Sequence, residues 1–320
     1  MEDKKMKYFN FALVILMVFI MNSCSSPYKN LTGFKSFDDL SYTVKKVYLP
    51  KSAINIAYTD EGSGTNTIVF IHGLGSYLPA WKKNTEVLKQ NYRCIAIDLP
   101  GYGKSDKKPH SGQMSYYAAV VTELINELKL ENVSLAGHSM GGQISITAAI
   151  LYPDKIKSII LVDPAGFERF TEGQKQWFRD VMTVEGVKNT TVEAIQNNLA
   201  SNFYNVPPDA EFMITDRIQM RTAEDFKAYC HTVVQSVNGM VNEPVTDYLN
   251  QITQPVLVFF GENDNLIPNR FLNPGFTKTI AQSGADNIKN CKLVMVPESG
   301  HFMMFEKPEV FNNQVTEFLK

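Results

Sequence analysis

A serine hydroxyl attacks a carbonyl carbon at neutral pH only when a base removes its proton, and that base needs a third group to orient it. Three residues of this chain have the right types for such work, in the order Ser139, Asp264, His301. Ser139 lies in Gly137-His138-Ser139-Met140-Gly141, a G-x-S-x-G pattern preceded by the apolar run Val133-Ser134-Leu135-Ala136 and followed by a helix-like segment, Gly142 to Tyr152. Glycines on either side of a serine fit a sharp strand-to-helix turn, where any side chain would collide with neighbouring backbone. Ser139 is therefore the candidate nucleophile.

Its partners come from later strands. Gln254 to Phe260 reads as a buried strand running into Gly261-Glu262-Asn263-Asp264, and Cys291 to Val296 as another running into Pro297-Glu298-Ser299-Gly300-His301. Each delivers one polar residue to the same sheet edge, Asp264 as orienting acid and His301 as general base. Asn263 and Asn265 make the first segment rich in turn formers, where an aspartate often serves only local backbone bonds. Asp163, at the end of Ile159-Ile160-Leu161-Val162, is the alternative acid, although Pro164 after it fits a simple strand exit.

These segments, in this order, resemble the α/β-hydrolase fold family, in its serine-nucleophile esterase- or lipase-like and carbon–carbon hydrolase-like branches. Ile68 to Gly75, with His72-Gly73, resembles the family's strand and oxyanion loop, and Trp81 follows where a tryptophan is common. Asp98-Leu99-Pro100-Gly101-Tyr102-Gly103-Lys104-Ser105 resembles its D-x-P-G-x-G-x-S segment, and Gly300-His301 with Phe305-Glu306-Lys307-Pro308 its terminal histidine region. The resemblance implies a mainly parallel eight-stranded sheet flanked by helices, with a helical cap inserted after strand 6. It also implies an oxyanion hole made of the backbone N–H groups of Leu74 and Met140, which leaves their side chains free to vary.

Serine at position 139 argues against relatives that open epoxides or carbon–halogen bonds, which need a carboxylate nucleophile. Ester hydrolysis through an acyl-enzyme is the first expectation. Hydrolysis of a carbon–carbon bond in ring-fission or β-diketone-like substrates is the second, and a non-catalytic ligand-binding relative the third. His72 is expected to shape the oxyanion loop, and Asp98 to hold the turn through Pro100-Gly101.

Apolar strands alternating with helical segments such as Tyr116 to Leu128 imply a sheet covered on both faces, and Val44 to Leu49 with Ile54 to Tyr58 an antiparallel start. The core is expected over residues 41–166 and 251–320, separated by a helical cap over 167–250. In the cap, Trp177, Phe178 and Met182 fall on one stripe, Phe212, Met213 and Ile218 on a second, and Phe226, Tyr229, Val233 and Val237 on a third. A cap with such stripes suits a small substrate with an apolar acyl or aryl group.

With 320 residues, 44% hydrophobic and 20% charged, and a net charge of −2, the chain can bury one sizeable core but has no basic excess suited to nucleic acid. Metal-ligand spacings and phosphate or dinucleotide loops are missing, so neither metal nor cofactor is expected. Cys94, Cys230 and Cys291 do not suggest a disulfide framework. Lys4, Lys5 and Lys7 precede the apolar run Phe9 to Met21, and Met21-Asn22-Ser23-Cys24 resembles a bacterial lipoprotein signal, although Met21 and Asn22 depart from the usual residues. On that reading residues 1–23 are removed, Cys24 is lipidated, residues 24–40 tether the enzyme, and it is exported to a membrane of the cell envelope. An uncleaved anchor, or a signal cut elsewhere, is the alternative.

Overall fold

The computed structural model describes residues 28–320. The expected signal segment and Cys24 lie outside the described residues. The sheet has eight strands: β1 (Lys45–Leu49), β2 (Ile54–Glu61), β3 (Thr67–Ile71), β4 (Arg93–Ile97), β5 (Val133–His138), β6 (Ser158–Val162), β7 (Val256–Gly261) and β8 (Cys291–Val296). Their order is β1-β2-β4-β3-β5-β6-β7-β8. β2 pairs antiparallel with β1 and β4, and every other pairing is parallel.

The strand sequences explain this order. β3, β5, β6 and β7 are buried at every residue, as continuous apolar runs must be when helices cover both faces. The edge strands β1 and β8 are mostly exposed or half-buried. Parallel pairing aligns Ile71 with Gly137, Val162 with Phe259, and Gly261 with Val296. The carboxyl ends of these strands thus open onto one edge, where ligands bind in open α/β sheets.

Helix Met140–Leu151 follows β5 directly and is buried from Met140 through Ala149. Between β6 and β7, five α-helices occur and no strand is described: Glu172–Val181, Val184–Lys188, Val192–Ser201, Glu211–Gln219 and Phe226–Asn242. The first three each start after a threonine, Thr171, Thr183 or Thr191, whose hydroxyl accepts an otherwise orphaned first-turn N–H. The Phe226 stripe is buried, with Tyr229 and Val233 beside it. The Trp177 stripe is split: Phe178 and Met182 turn to the interior, whereas Trp177 is 41% exposed.

Residues 28–40 differ from the expected tether. Glu224 N–H donates to the Lys35 carbonyl, Phe34 N–H to the Gln219 carbonyl and Thr222 Oγ1 to the Phe34 carbonyl. Phe37 is fully buried, with its ring 5.4 Å from Tyr229. Apolar residues Phe34, Phe37 and Leu40 within a polar stretch dock this arm on the cap helices. Among the described residues, no helix is long and apolar enough to cross a membrane, and Cys94, Cys230 and Cys291 are free.

Candidate active site

The turn after β5 is held in a conformation that few side chains adopt. Ser139 has φ 52° and ψ −116°, outside the ordinary allowed regions and costing about 1–3 kcal/mol. Its surroundings enforce this, because Ser139 N–H donates to the Val162 carbonyl (2.9 Å) and its carbonyl accepts from Gly142 and Ala165 (2.9 and 3.0 Å). The flanking glycines are required by space. A Cβ at Gly137 would stand 2.2 Å from the Gly141 carbonyl oxygen, and one at Gly141 2.3 Å from that of Ile71.

Asp264 and His301 meet at the adjoining strand ends. His301 Nδ1 lies 2.8 Å from Asp264 Oδ2, with both side chains buried. A carboxylate there keeps the proton on Nδ1 and leaves Nε2 as the basic nitrogen. The other oxygen, Oδ1, accepts from Leu266 N–H (2.7 Å) and Ile267 N–H (3.2 Å). The local turn bonding weighed against Asp264 therefore coexists with the histidine contact on a different oxygen.

Asp163 lies at the same place, because β6 and β7 are adjacent and parallel. Ligand atoms of Asp163, Asp264 and His301 all fall within 4.8 Å of one another. Asp163 Oδ1 accepts from Gly261 N–H (2.9 Å), and its Oδ2 is buried. Burial, reinforced by the Asp264 charge, raises the Asp163 carboxyl well above the usual range. Two carboxylates this close cannot both ionise readily, and burial favours the neutral form of Asp163.

Leu74 lines the same cavity as Ser139 and His301. Met140 begins its helix, so its N–H has no carbonyl four residues back within that helix. Its side chain is fully buried in the core, which corrects the expectation that it could vary freely. His72 supports the Leu74 loop from below: Nε2 accepts from Leu99 N–H (3.0 Å), so Nδ1 carries the proton toward the Gly73 carbonyl (2.8 Å). Asp98 accepts from Leu78 N–H, Lys104 N–H and Tyr42 Oη, binding three loops where one turn was expected.

Burial lowers the His72 imidazole from the ordinary value to about 4. The unfolded chain, titrating near ~6.5, binds a proton that the fold excludes. The stabilisation is complete above about 6.5 and is lost as pH falls toward about 4, a change of about 3 kcal/mol. Urea midpoints at pH 7 and pH 4.5 are expected to differ more in the parent than in a folded His72→Gln variant. Equal differences would contradict a neutral His72.

Several contacts escaped the sequence. His138 Nε2 lies 2.8 Å from the His301 carbonyl oxygen, joining the serine turn to the histidine loop. Glu306 accepts from Gly300 N–H (2.6 Å) and from Tyr204 and Asn205 N–H, which ties that loop to the cap. Gln143 Nε2 donates to the Met240 and Glu243 carbonyls. Arg217, on the cap helix Glu211–Gln219, donates from Nη1 to the Gly75 carbonyl (3.2 Å) and lies over the Tyr229 ring. Among the described residues no carboxylate pairs with it. A G-x-S-x-G pattern announces its own turn, but nothing in the spacing of Glu306 or Arg217 marks their targets.

The cavity above Ser139 measures about 680 Å³. Phe178, Met182, Met213, Phe226, Val233 and Val237 line it from the cap, so residues of all three stripes face the cavity. Residues 66–308 match the family described as the alpha/beta hydrolase fold. A 2-hydroxy-6-oxononadienedioate/2-hydroxy-6-oxononatrienedioate hydrolase of Paraburkholderia phymatum is 27% identical over 281 residues, covering 83% of this chain and 91% of that protein. The dihydrolipoyllysine-residue acetyltransferase component of the Pseudomonas putida acetoin cleaving system is 27% identical over 262 residues, 81% of this chain and 65% of that longer protein. The solved structure of an esterase from Exiguobacterium antarcticum superposes with a TM-score of 0.73 at 24% identity, covering 87% of this chain and 99% of its own. The chain belongs to the α/β-hydrolase fold family and is an α/β-hydrolase.

Proposed function

We propose that the protein hydrolyses a carboxylic ester of a small apolar substrate through an acyl-enzyme. Ser139 Oγ attacks the carbonyl carbon while His301 Nε2 takes its proton, and His301 returns that proton to the departing alkoxide. Water then attacks the acyl-serine with His301 again as base, releasing the acid and restoring the serine. Asp264 holds the imidazole tautomer and stabilises the imidazolium, while the N–H groups of Leu74 and Met140 receive the oxyanion. Each such donor is worth about 3 kcal/mol in the transition state. The supporting observation is the 2.8 Å Asp264–His301 contact beside the cavity that Ser139 and His301 share. A p-nitrophenyl ester panel tests the reading, and short or medium acyl chains are expected to turn over. Labelling by a fluorophosphonate without cleavage of any ester would move the assignment to carbon–carbon hydrolysis. Ligand binding without turnover of either class would indicate a receptor-like member.

Arg217 favours the carbon–carbon reading as the second. Its guanidinium is desolvated beside the Leu74–Gly75 loop and, among the described residues, pairs with no carboxylate, so a substrate carboxylate would complement it. The relative named for a dioate substrate carries such groups in its name. Arg217→Gln is expected to lower kcat/KM for a carboxylate-bearing substrate by about 10- to 100-fold while changing that for a neutral ester little. Equal losses on both would assign Arg217 to the fold of the cap.

The same proposal places the enzyme outside the bacterial cytoplasm, held on a membrane by lipid at Cys24. Its support is the Lys4, Lys5 and Lys7 start, the apolar run Phe9 to Met21 and the cysteine just beyond. Processing should be sensitive to globomycin, and the lipid mass should disappear in Cys24→Ser.

A further inference from the structure

We propose that the mouth of the cavity docks on a lipid bilayer through Phe271 and Phe276, so that substrate enters from the membrane. The inference rests on the anchored reading for what brings the membrane close, and the surface itself supplies the rest.

The loop between β7 and the helix Thr277–Asp286 has two sides. Leu266, Ile267 and Asn269 line the cavity, whereas Phe271 and Phe276 point outward, each 81% exposed. The loop is tightly bonded. Asn269 N–H and Asn273 Nδ2 donate to Glu168 Oε1 (2.9 and 2.8 Å), Gln174 Nε2 donates to the Leu272 carbonyl (2.7 Å), and Asn269 Oδ1 accepts from Phe271 and Leu272 N–H. A loop so fastened presents its phenyl rings to solvent as a built feature, and large exposed apolar groups on a loop that also lines the cavity mark an interaction surface.

The patch continues toward the N-terminal arm. Tyr204 and Phe276 border one shallow groove, and Tyr204 and Val206 are 45% and 42% exposed. From Val206 the chain reaches Glu211 in five residues, and there Tyr28 Oη donates to Glu211 Oε1 (2.5 Å). Tyr28 lies four positions after Cys24, a reach of at most about 14 Å. If the apolar run ending at Met21 is instead retained, the reach is at most about 25 Å. Either anchor brings this end of the cap to the headgroups. Exposed Lys29, Arg270 and Lys278 at the border can meet lipid phosphates, with Glu262, Asp209 and Glu211 the acidic neighbours.

The test uses the full chain bound to vesicles of phosphatidylcholine and phosphatidylglycerol. The chain has two tryptophans, of which Trp81 is fully buried, so Phe271→Trp in a Trp177→Phe background reports the loop. Lipids brominated near the carbonyl end of the acyl chain should quench that variant by about half and leave the Trp177→Phe parent unquenched. In the double variant Phe271→Ser, Phe276→Ser, hydrolysis of a bilayer-borne ester should fall about tenfold while a soluble p-nitrophenyl ester is cleaved as before. Absence of quenching with the chain vesicle-bound, or failure of the full chain to float with vesicles, overturns docking. So does a change from dimer to monomer in the double variant without quenching, which would make the patch a contact between copies. If the parent cleaves no ester, the ester reading is lost, and quenching still decides the docking.

Discussion

Ser139→Ala is expected to lower kcat for a p-nitrophenyl ester by about 10⁶-fold with little change in KM. The nucleophilic oxygen is gone, and what remains is transition-state stabilisation by the oxyanion donors and by binding, about 10³- to 10⁴-fold over water. His301→Ala should cost a similar factor, and the double variant scarcely more, because nucleophile and base act as one unit. Steady-state kinetics with an active-site titration of the parent checks all three. A Ser139→Ala rate within tenfold of the parent would remove Ser139 from the chemistry.

The next largest effect separates two carboxyl groups that share one corner of the sheet. Asp264→Asn should lower kcat by about 10⁴-fold, because an amide facing Nδ1 can donate and thereby select the wrong imidazole tautomer. Asp163→Asn should stay within about tenfold. Burial and the neighbouring Asp264 favour the neutral form of Asp163, and an amide oxygen can still accept from Gly261 N–H. The comparison is informative because both substitutions are isosteric and both sites are buried. The reverse pattern would make Asp163 the orienting acid.

The strands that position the site were legible because fully buried parallel strands must be apolar throughout, as β6 and β7 of this sheet illustrate with Ile159 to Val162 and Val256 to Phe260. The serine turn was equally plain, since its glycines are dictated by the backbone oxygens of Ile71 and Gly141. What sequence could not order was depth across the sheet. Asp163 and Asp264 stood as alternatives, yet strand adjacency sets them side by side, one bonded to Gly261 N–H and one to His301.

The cap was legible as helical but not in its facing. Trp177 shares a stripe with Phe178 and Met182, but one turn of a short helix is enough to leave it at the surface. Arg217 sits on a polar face that looks solvent-directed until the helix Glu211–Gln219 is laid over Gly75. Residues 24–40 read as a tether because they follow the lipoprotein-like signal, yet the few apolar residues within 28–40 suffice to dock an arm.

The most direct test of the proposed chemistry is to quench the enzyme in acid during turnover of a p-nitrophenyl ester and map the adduct by mass spectrometry. The expected result is one acyl group per chain, carried on the peptide containing Ser139 and absent from Ser139→Ala. Steady turnover with no acylated peptide under burst conditions, or acylation at another residue that persists in Ser139→Ala, would contradict it.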